Sequence, residues 1–378
     1  MKVGFNCRYL ERPVWTGTEQ YLFNLLMGLD GLAEGPSRCL FGLNKKILGQ
    51  KLKLSPARSQ LEIITPARWP GGEVGRFAWD LGKVGSMANR YEADVFHGTS
   101  FTLPFGLKMP SAVTFFDLAF LRHPGFYSLK ENIYLRWVTR QAAIAARAVI
   151  TISEFSKTEM VSMLGIDPQK IFAIPLGVSD PSREQAAAPD DLMDRYGLKK
   201  PYLATISTVT PRKNMKVLFR TMKIMEQRNK SVPKLCVIGR DGFGAVAIKK
   251  QCQQLGLDHS VVFTGPVTPG DMAGLMANAL CALVPSRYEG FGLPVLEAMA
   301  AGVPVVAANA SALPEVVGQA GLLADPEDPS DWARKINLLQ DDPGLAQQLR
   351  QRGGERAKFF TWHNTALKTY QVYEGIKS

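Results

Sequence analysis

Two segments of the chain carry charged side chains in an arrangement suited to binding an anion. Glu289 and Glu297 bound the sequence Glu-Gly-Phe-Gly-Leu-Pro-Val-Leu-Glu, in which two glycines precede a predicted helix. Arg212 and Lys213 follow a predicted strand in the sequence Pro-Arg-Lys-Asn. Cationic side chains and helix N-termini bind phosphate oxygens, whereas carboxylates accept hydrogen bonds from hydroxyl groups. The combination therefore fits a phosphate attached to a polyol, as in a sugar nucleotide.

The helix predicted after the second glycine places the two glutamates. Pro294 suits the first helical position, where its missing N–H has no cost, and Gly302 suits the end of the helix. Glu297 is then predicted in the first turn and Glu289 in the preceding loop. An alternative stays open, in which Glu297 only stabilises the helix dipole from the first turn and the two glycines form an ordinary turn.

The loop that precedes this helix offers backbone amides to a ligand. Glycine has no Cβ, so the chain can approach a bound molecule closely. The amides at a helix start lack partners within the helix and attract anions. The residues predicted to contribute here are Gly290, Phe291, Gly292 and Leu293.

The second part of the predicted site follows the strand Tyr202–Ile206. Arg212 and Lys213 precede a helix, and open α/β sheets bind ligands at the carboxyl ends of their strands. A cluster of solvated charges is the alternative, but cations at a helix N-terminus oppose the helix dipole. We therefore expect an anion between these two side chains.

The first half of the chain has further candidates near predicted strand ends. Gly17 lies between the first strand and the first helix, where it permits close approach to phosphate or sugar, or simply forms a turn. His97 and Asp117 end two other strands and are candidates for ligand binding, although a histidine at a strand end is often structural. The histidines show no spacing typical of metal ligands, so no metal site is predicted.

Short apolar runs alternate with helical patterns along the whole chain. Runs of this kind, bounded by Gly, Pro, Asp or Asn, are typical of parallel strands buried on both faces. A first series comprises Val3–Asn6, Leu61–Ile64, Val95–His97, Ser111–Phe116, Ala148–Ile152 and Ile171–Ile174. A second series comprises Tyr202–Ile206, Lys234–Ile238, Val261–Phe263, Leu280–Val284 and Val303–Ala307. Two such series predict two doubly wound α/β domains.

The boundary between the predicted domains falls between Leu176 and about Asp191, where the sequence is polar, alanine-rich and flanked by proline. The first domain is predicted over residues 1–178, and the second over residues 191–360. A C-terminal helix over Thr361–Ile376 has apolar residues at helical spacing, and we assign residues 361–378 to the first domain.

Composition and charge narrow the class of protein. The chain has 378 residues and a formal net charge of +11, but no block of like charges and no nucleic-acid motif. Nucleotide phosphates or an anionic membrane surface fit this balance, with a merely basic surface as the alternative. The five cysteines form no CxxC pair, which is typical of free thiols in a reducing compartment. No apolar run of about eighteen residues occurs, so we expect a cytoplasmic protein without a transmembrane segment.

One stretch suggests where a membrane surface could be contacted. Arg68-Trp69, Arg76-Phe77 and Trp79 interleave cations and aromatic rings, a pattern that can dock on a headgroup layer. A surface helix that buries its aromatic residues explains the pattern equally well.

These motifs together resemble those of family 4 of the retaining glycosyltransferases, which have the GT-B fold. The segment Pro285–Ala307 matches most strongly, and Leu313–Pro326, Thr208–Asn214 and Val149–Lys157 match other family motifs. The resemblance covers nearly the whole chain. It implies two Rossmann-like domains that face each other across a cleft, with the acceptor on the first domain and the donor on the second.

The resemblance implies roles for the matching residues. Lys213 and Arg212 would neutralise the diphosphate of a nucleotide-sugar donor. Glu297 would bind the ribose hydroxyls. Glu289 and the amides that follow it would hold the donor sugar and the β-phosphate.

Further positions follow from the same comparison. Ser207 and Thr208 would belong to the phosphate-binding segment, Val267 would lie beside the base, and Gly17 would belong to a loop over the donor. The candidate catalytic residues are Glu289, Asp117, Lys213 and Arg212. The candidates on the acceptor side are His97, Phe116 and Asp117. The family needs no metal or cofactor.

The chain departs from the family pattern at three positions. Phe116 replaces a histidine that contacts the donor sugar in many relatives, which affects the prediction of the donor and, to a lesser degree, of catalysis. Ser207 stands where glycine is frequent, and Thr210 stands where a glutamate is common.

The resulting prediction is a retaining hexosyltransferase of surface polysaccharide assembly. The Pro-Arg-Lys-Asn segment resembles bacterial mannosyl- and rhamnosyltransferases, so GDP-mannose is the first donor expected, with a UDP-sugar as an alternative. The acceptor would be a glycan or a lipid-linked oligosaccharide, and contact with the inner face of the membrane would be peripheral. Two alternatives remain: a nucleotide-sugar epimerase of the same fold, and a catalytically silent binding partner, which Phe116 favours.

Overall fold

The computed structural model of the chain describes residues 1–13, 15–52, 61–66, 69, 72–178, 189–228 and 232–377. These residues form two compact units, Met1–Gly177 with Trp362–Ser378, and Val178–Thr361. Most of the predicted linker between Leu176 and Asp191 lies outside the described residues, as does Arg68. Each unit is built around its own parallel sheet.

The first unit contains a seven-stranded sheet. Its strands are β1 (Lys2–Asn6), β2 (Ser37–Phe41), β3 (Leu61–Ile64), β4 (Val95–Gly98), β5 (Ser111–Phe115), β6 (Ala148–Thr151) and β7 (Ile171–Ala173). They lie in the order β3-β2-β1-β4-β5-β6-β7, and every neighbouring pair is parallel. The order reverses beside β1, which is the arrangement of a doubly wound sheet.

Helices connect these strands. They are α1 (Gly17–Asp30), α2 (Lys45–Leu52), α3 (Gly72–Ala78), α4 (Val84–Arg90), α5 (Ala119–Arg122), α6 (Leu129–Ala145) and α7 (Glu154–Leu164). The Ser153 side chain accepts a hydrogen bond from the Ser156 amide and so caps the start of α7. Ser128 and Glu131 form a capping box that starts α6.

The second unit repeats the arrangement with a six-stranded parallel sheet. Its strands are β8 (Tyr202–Ile206), β9 (Lys234–Ile238), β10 (Val261–Gly265), β11 (Cys281–Val284), β12 (Val305–Ala308) and β13 (Leu322–Ala324). Its helices are α8 (Pro189–Tyr196), α9 (Met215–Gln227), α10 (Ala245–Gln254), α11 (Pro269–Ala277), α12 (Leu293–Ala300), α13 (Leu313–Val317), α14 (Pro329–Asp341) and α15 (Pro343–Ala357). The order β10-β9-β8-β11-β12-β13 reverses beside β8, so β8 occupies the same place as β1 in the first sheet.

The C-terminal helix α16 (Trp362–Lys377) belongs to the first unit, where it packs along α1. Gly28 makes this contact close, because a Cβ at that position would lie 2.7 Å from the Trp362 carbonyl oxygen and 2.8 Å from the Ala366 Cβ. Tyr373 of α16 is fully buried. The helix is therefore part of the core of the first unit.

The strands predicted from the sequence are present, with ends that differ by at most two residues, but two strands were not predicted. β2 contains Arg38, a residue that is rare in a buried strand, and its guanidinium pairs with Asp30 at 2.5 Å. β13 has only three residues, too few for a recognisable apolar run. The two α/β sheets are nevertheless those that the remaining strands predict.

The prediction that the aromatic stretch meets lipid is wrong for Trp79. Its ring is fully buried, and its Nε1 donates a hydrogen bond to the Asn6 side chain at 3.0 Å. The Trp69 ring packs edge-on against it, with ring centres 5.7 Å apart, and donates to the Gly75 carbonyl at 2.8 Å. The alternative of a buried aromatic residue therefore holds for Trp79, whereas Trp69 lies outside a helix and is half-buried.

All five cysteines are buried free thiols. Desolvation raises the pKa of Cys236 and of Cys281 to about 12, so these thiols stay protonated and unreactive at neutral pH. Among the described helices, none has both the length and the apolar character needed to cross a bilayer.

Candidate functional site

The two predicted cations lie in a short turn after β8. A 3-10 turn over Pro211–Lys213 carries both of them, and Asn214 follows in the left-handed region with φ of +53°. Asparagine tolerates this conformation better than most residues do. The buried Asn214 donates through Nδ2 to the Pro326 carbonyl at 2.8 Å, and α9 begins at the next residue. Asn214 therefore fixes the turn that presents the two cations.

Both cations converge on Glu289. The Lys213 Nζ lies 2.5 Å from Oε1 of the carboxylate, and the Arg212 Nη1 lies 3.2 Å from Oε2. Arg212 also donates to the Tyr288 carbonyl at 2.9 Å. The anion expected between the two cations is thus, in this structure, a carboxylate of the protein.

Charge neutralisation keeps Glu289 ionised although it is buried. Burial alone would raise its pKa, but the charges of Lys213 and then Arg212 outweigh this effect and lower the pKa to about 2. The three side chains together carry one excess positive charge at neutral pH. The cluster therefore keeps a net positive charge that can attract a further anion.

The start of α12 adds backbone donors beside this cluster. Gly292 has φ of +123°, and a Cβ there would lie 2.9 Å from the Leu313 side chain, so only glycine fits without strain. Within the described residues, the amides of Gly292 and Leu293 donate no hydrogen bond to the protein. The Phe291 ring packs against Phe360, with ring centres 5.8 Å apart. The side chain of Phe291 is therefore structural, and a ligand would use the amides.

Glu297 lies one position further along α12 than predicted. The helix starts at Leu293, so Pro294 takes its second position and Glu297 belongs to the second turn. The side chain is half-buried, and desolvation raises its pKa, a shift that the charge of Lys213 partly offsets. Its carboxylate is thus partly desolvated near Lys213. A ligand hydroxyl that donated a hydrogen bond to this carboxylate would offset the cost of desolvation.

The loop that contains Ser207 and Thr208 is held by the loop after β9. A Cβ on Gly239, where φ is +141°, would lie 2.4 Å from the Ser207 carbonyl oxygen. A Cβ on Gly242 would lie 2.7 Å from the Thr208 methyl group. These glycines allow the two loops to pack at the carboxyl edge of the sheet. Neither glycine was predicted as part of the site, although Gly-Arg-Asp-Gly after a strand indicates a tight loop there.

Val267 is half-buried in the loop between β10 and α11. Its predicted place beside a base stays a prediction. Ser311 was also missed, although its hydroxyl accepts a hydrogen bond from the Glu289 amide at 2.9 Å and so fixes the backbone of the central carboxylate. Nothing in the sequence indicates this contact, since the two residues belong to different loops.

Gly17 starts α1 in the first unit. Glu19 accepts hydrogen bonds from the Thr16 amide at 2.8 Å and the Thr16 hydroxyl at 2.5 Å, which caps the helix, and it pairs with Arg12 at 2.7 Å. No described atom lies within 4 Å of the position of a Cβ on Gly17. The fold of the unit therefore does not require glycine here, and its role toward a donor stays a prediction.

His97 is a structural residue, so its assignment to the acceptor side is wrong. The side chain is fully buried, with Nδ1 2.5 Å from the Tyr373 hydroxyl and Nε2 2.8 Å from the Thr114 hydroxyl. Burial lowers its pKa to about 3, which keeps the ring neutral. His97 joins the sheet to the C-terminal helix α16 and has no ring nitrogen left for a substrate.

Phe116 and Asp117 are half-buried just after β5. The Phe116 ring packs edge-on against Tyr21, with ring centres 5.1 Å apart. Asp117 Oδ1 accepts a hydrogen bond from the Ala119 amide at 2.9 Å at the start of α5. Both residues thus have local structural contacts, and their roles toward a substrate stay predictions.

The chain matches two family models and several characterised proteins. Glycosyl transferases group 1 matches residues 193–358, and Glycosyltransferase Family 4 matches residues 45–180. The chain is 30% identical over 289 residues to O-antigen chain mannosyltransferase B of Escherichia coli, covering 75% of both chains. It is 29% identical over 256 residues to MMP alpha-(1->4)-mannosyltransferase of Mycolicibacterium hassiacum, covering 65% of this chain and 59% of that protein.

Solved structures show the same fold at low sequence identity. Sucrose-phosphate synthase from Thermosynechococcus elongatus superimposes with a TM-score of 0.75 at 20% identity, covering 99% of this chain and 98% of that one. Anabaena HepE in complex with UDP-glucose gives 0.75 at 20% identity, covering 99% and 100%. WaaG, a glycosyltransferase involved in lipopolysaccharide biosynthesis, gives 0.72 at 15% identity, covering 99% and 100%.

The chain therefore belongs to glycosyltransferase family 4 and has the GT-B fold, with two Rossmann-like domains. It is a glycosyltransferase. The predicted family, fold class and type of enzyme are confirmed.

Proposed function

We propose that this glycosyltransferase transfers a hexose from a nucleotide diphosphate sugar to an acceptor hydroxyl and retains the anomeric configuration. The observation that carries the proposal is the convergence of Lys213 and Arg212 on Glu289 beside the start of α12. This arrangement combines excess positive charge with free helix amides, which suits a diphosphate, and with a carboxylate, which suits sugar hydroxyls.

The chemistry follows from where charge develops. The bond between the anomeric carbon and the diphosphate oxygen breaks, and negative charge gathers on the leaving diphosphate. Lys213, Arg212 and the amides of α12 would stabilise that charge in place, which lowers the barrier. Glu289 would hold the sugar, and Asp117 is the candidate on the acceptor side.

Retention follows when the acceptor attacks from the face that the leaving group occupies. A new bond forms between the acceptor oxygen and the anomeric carbon, and a phosphate oxygen of the leaving group takes the acceptor's proton. This route needs no nucleophilic residue of the protein, which agrees with the site: the buried carboxylate of Glu289 is paired with two cations and is a weak nucleophile.

The proposed donor is GDP-mannose, with a UDP-sugar as the alternative. Mannose is supported by the mannosyltransferases to which the chain is similar, and a nucleotide sugar by the UDP-glucose complex of HepE. Glu297 would bind the ribose, and Val267 would lie beside the base. The proposed acceptor is a glycan or a lipid-linked oligosaccharide, and the net charge of +11 supports peripheral contact with anionic lipid.

A thermal-shift panel of GDP-mannose, UDP-glucose, ADP-glucose and dTDP-rhamnose tests the donor. A ligand present at about 100 times its Kd stabilises the folded protein by about 2.7 kcal/mol, so the best donor gives the largest shift. GDP-mannose should give that shift in the wild type and a much smaller one in Lys213→Ala. The control is Lys216→Ala, because Lys216 is exposed on α9 near the cationic turn and contacts no part of the site.

Product analysis tests the reaction itself. The enzyme is incubated with GDP-mannose and a glycan acceptor, and proton NMR gives the anomeric configuration of the product. An α-mannoside from the α-configured donor supports retention, and a β-mannoside contradicts it. Conversion of the donor sugar to its epimer without acceptor would identify an epimerase, and neither transfer nor donor hydrolysis with any of the four donors would identify a silent partner.

A further inference from the structure

The strand β7 forms an open edge of the first sheet, because β6 is its only partner among the described strands. The Ile174 amide donates to the Thr151 carbonyl of β6 at 2.7 Å. Alternate residues of a parallel strand form hydrogen bonds on opposite sides, so Phe172 also faces β6, whereas the amides and carbonyls of Ile171 and Ala173 point away from the sheet. Within the described residues, these outward groups make no hydrogen bond to another element. They can therefore pair with an added strand.

A groove of about 640 Å³ runs along this edge, between β7 and the C-terminal helix α16. We call it the β7 groove. Its apolar lining includes Val372 and Ile376 of α16 and Phe172 of β7, and Phe172 is 38% exposed. An edge strand that exposes an aromatic side chain and unpaired backbone groups is a template for pairing with another chain.

The charged side chains that line the β7 groove are all positive. Arg147 lies just before β6, Lys157 lies near the start of α7, and Lys368 lies on α16. Arg147 and Lys368 are exposed and Lys157 is half-buried, and none of the three forms an ion pair within the described part of the chain. No described residue that lines the groove is acidic. Because Arg147 precedes β6 and Lys157 follows it, positive charge lies toward both ends of the neighbouring β7.

We propose that the β7 groove binds an extended acidic segment of a partner protein, which joins the first sheet as a further strand. The outward amides and carbonyls of β7 pair with the backbone of the segment, and Phe172 packs against its apolar side chains. The three cations pair with its carboxylates, and this charge complementarity selects an acidic segment. A second copy of the chain fits less well, since a symmetric dimer through two β7 grooves would bring like charges together.

Fluorescence anisotropy with the full chain tests the proposal. The probe is a short fluorescein-labelled peptide in which glutamate and valine alternate. The wild type should bind it at least about tenfold more tightly than it binds the same peptide with lysine in place of glutamate. A version of the probe that is N-methylated throughout should bind at least about tenfold more weakly, because it keeps its side chains and charges but loses its backbone donors.

Two variants of the chain test the charges and the strand edge separately. Arg147→Gln with Lys368→Gln should weaken probe binding at least about tenfold. The matched control is Lys46→Gln with Arg90→Gln, which removes two exposed cations from α2 and α4, helices that pack beside β3 and β2 at the other end of the same sheet, and it should bind like the wild type. Ala173→Pro removes an outward amide at a position where an edge strand accepts proline, and it should also weaken binding.

Several results would overturn the proposal. They are equal losses in the two double variants, equally tight binding of the N-methylated probe, and a preference for the lysine peptide. Displacement of the probe by pyrophosphate at matched ionic strength would assign the groove to a small anion instead. In sedimentation velocity, a wild-type dimer that Ala173→Pro abolishes would assign the edge to a second copy of the chain.

The outcome is separable from that of the proposed function. The cluster of Lys213, Arg212 and Glu289 belongs to the other unit, so thermal shifts with GDP-mannose should be the same in the groove variants and in the wild type. Loss of probe binding with an unchanged nucleotide response supports the β7 groove whatever the donor is. Loss of both responses would indicate a folding defect, which circular dichroism detects, and the N-methylated and lysine peptides then decide the question with the wild type alone.

Discussion

Replacement of Lys213 by methionine tests the electrostatic basis of the site most directly. Methionine keeps most of the length of the side chain but removes the charge that lies 2.5 Å from Glu289. The two side chains are only 13% and 9% exposed, so solvent compensates little for the loss. Truncating one partner of such a pair costs about 2–5 kcal/mol, which corresponds to a fall of about 30-fold to several thousand-fold in kcat/KM.

The same substitution changes the dependence of stability on pH. The pKa of Glu289 is about 2 in the folded protein, below its ordinary value of 4.5. A lowered pKa stabilises the folded state above pH 4.5, and this contribution is lost as the pH falls from 4.5 toward 2. The shift corresponds to about 3 kcal/mol, of which the Lys213→Met variant loses the larger part because Lys213 is the stronger of the two cationic influences.

Two measurements check this reasoning. Steady-state kinetics with GDP-mannose give kcat/KM, and urea unfolding at about pH 6 and pH 3.5 gives the stability that Glu289 contributes. Lys216→Met is the control, because it removes an exposed charge only three residues further along the chain, in the first turn of α9. Lys213→Arg should retain part of the activity. A Lys213→Met enzyme with activity within about twofold of that of the control would refute the assignment of Lys213 to the leaving diphosphate.

Three further substitutions test other parts of the molecule. Glu297→Gln should weaken nucleoside diphosphate binding in calorimetry by roughly tenfold, since it removes the negative charge and replaces one of the two acceptor oxygens by an NH2 donor. It should also raise stability at neutral pH, because the raised pKa of Glu297 means that its charged form is disfavoured in the folded state above pH 4.5. Unchanged affinity would reject the ribose assignment. Asn214→Ala should lower both stability and kcat/KM more than Asn214→Gly does, because alanine at φ of +53° adds about 1–2 kcal/mol of strain; equal effects in urea unfolding would show that the turn conformation is unimportant. His97 has a lowered pKa of about 3, so protonation favours the unfolded state and the wild type should lose about 2 kcal/mol between pH 7.5 and pH 5, a loss that His97→Gln should not show.

The fold could be predicted because buried parallel strands leave a plain signal in the sequence. Runs such as Tyr202–Ile206 and Lys234–Ile238 are short, apolar and bounded by turn residues, and the structure has both with the predicted ends. β2 was not predicted, because an arginine is rare in a buried strand. The charge of its buried Arg38 is compensated by Asp30, which lies on the preceding helix. A pairing between separate elements cannot be recognised from a local pattern.

The site could be predicted only in part for a related reason. The residue types of the Pro-Arg-Lys-Asn and Glu-Gly-Phe-Gly segments indicated cations, amides and carboxylates at strand ends. They did not indicate that Glu289 itself is the anion between Lys213 and Arg212, because that contact depends on side-chain conformations. His97 shows the opposite error, since the sequence does not reveal that Tyr373 and Thr114 occupy both of its nitrogens.

The pairing of Glu289 with two cations leads to a prediction that separates binding from turnover. In the free enzyme the carboxylate satisfies Lys213 and Arg212, so an incoming diphosphate competes with it for both side chains. Replacing Glu289 by glutamine removes that competition and leaves two cations for the phosphates. Nucleoside diphosphate should therefore bind Glu289→Gln at least as tightly as it binds the wild type, while kcat falls by about 100-fold because the sugar loses a charged hydrogen-bond acceptor. Calorimetry with GDP and single-turnover kinetics with GDP-mannose measure the two effects, and weakened GDP binding with near-normal turnover would exchange the roles of Glu289 and Glu297.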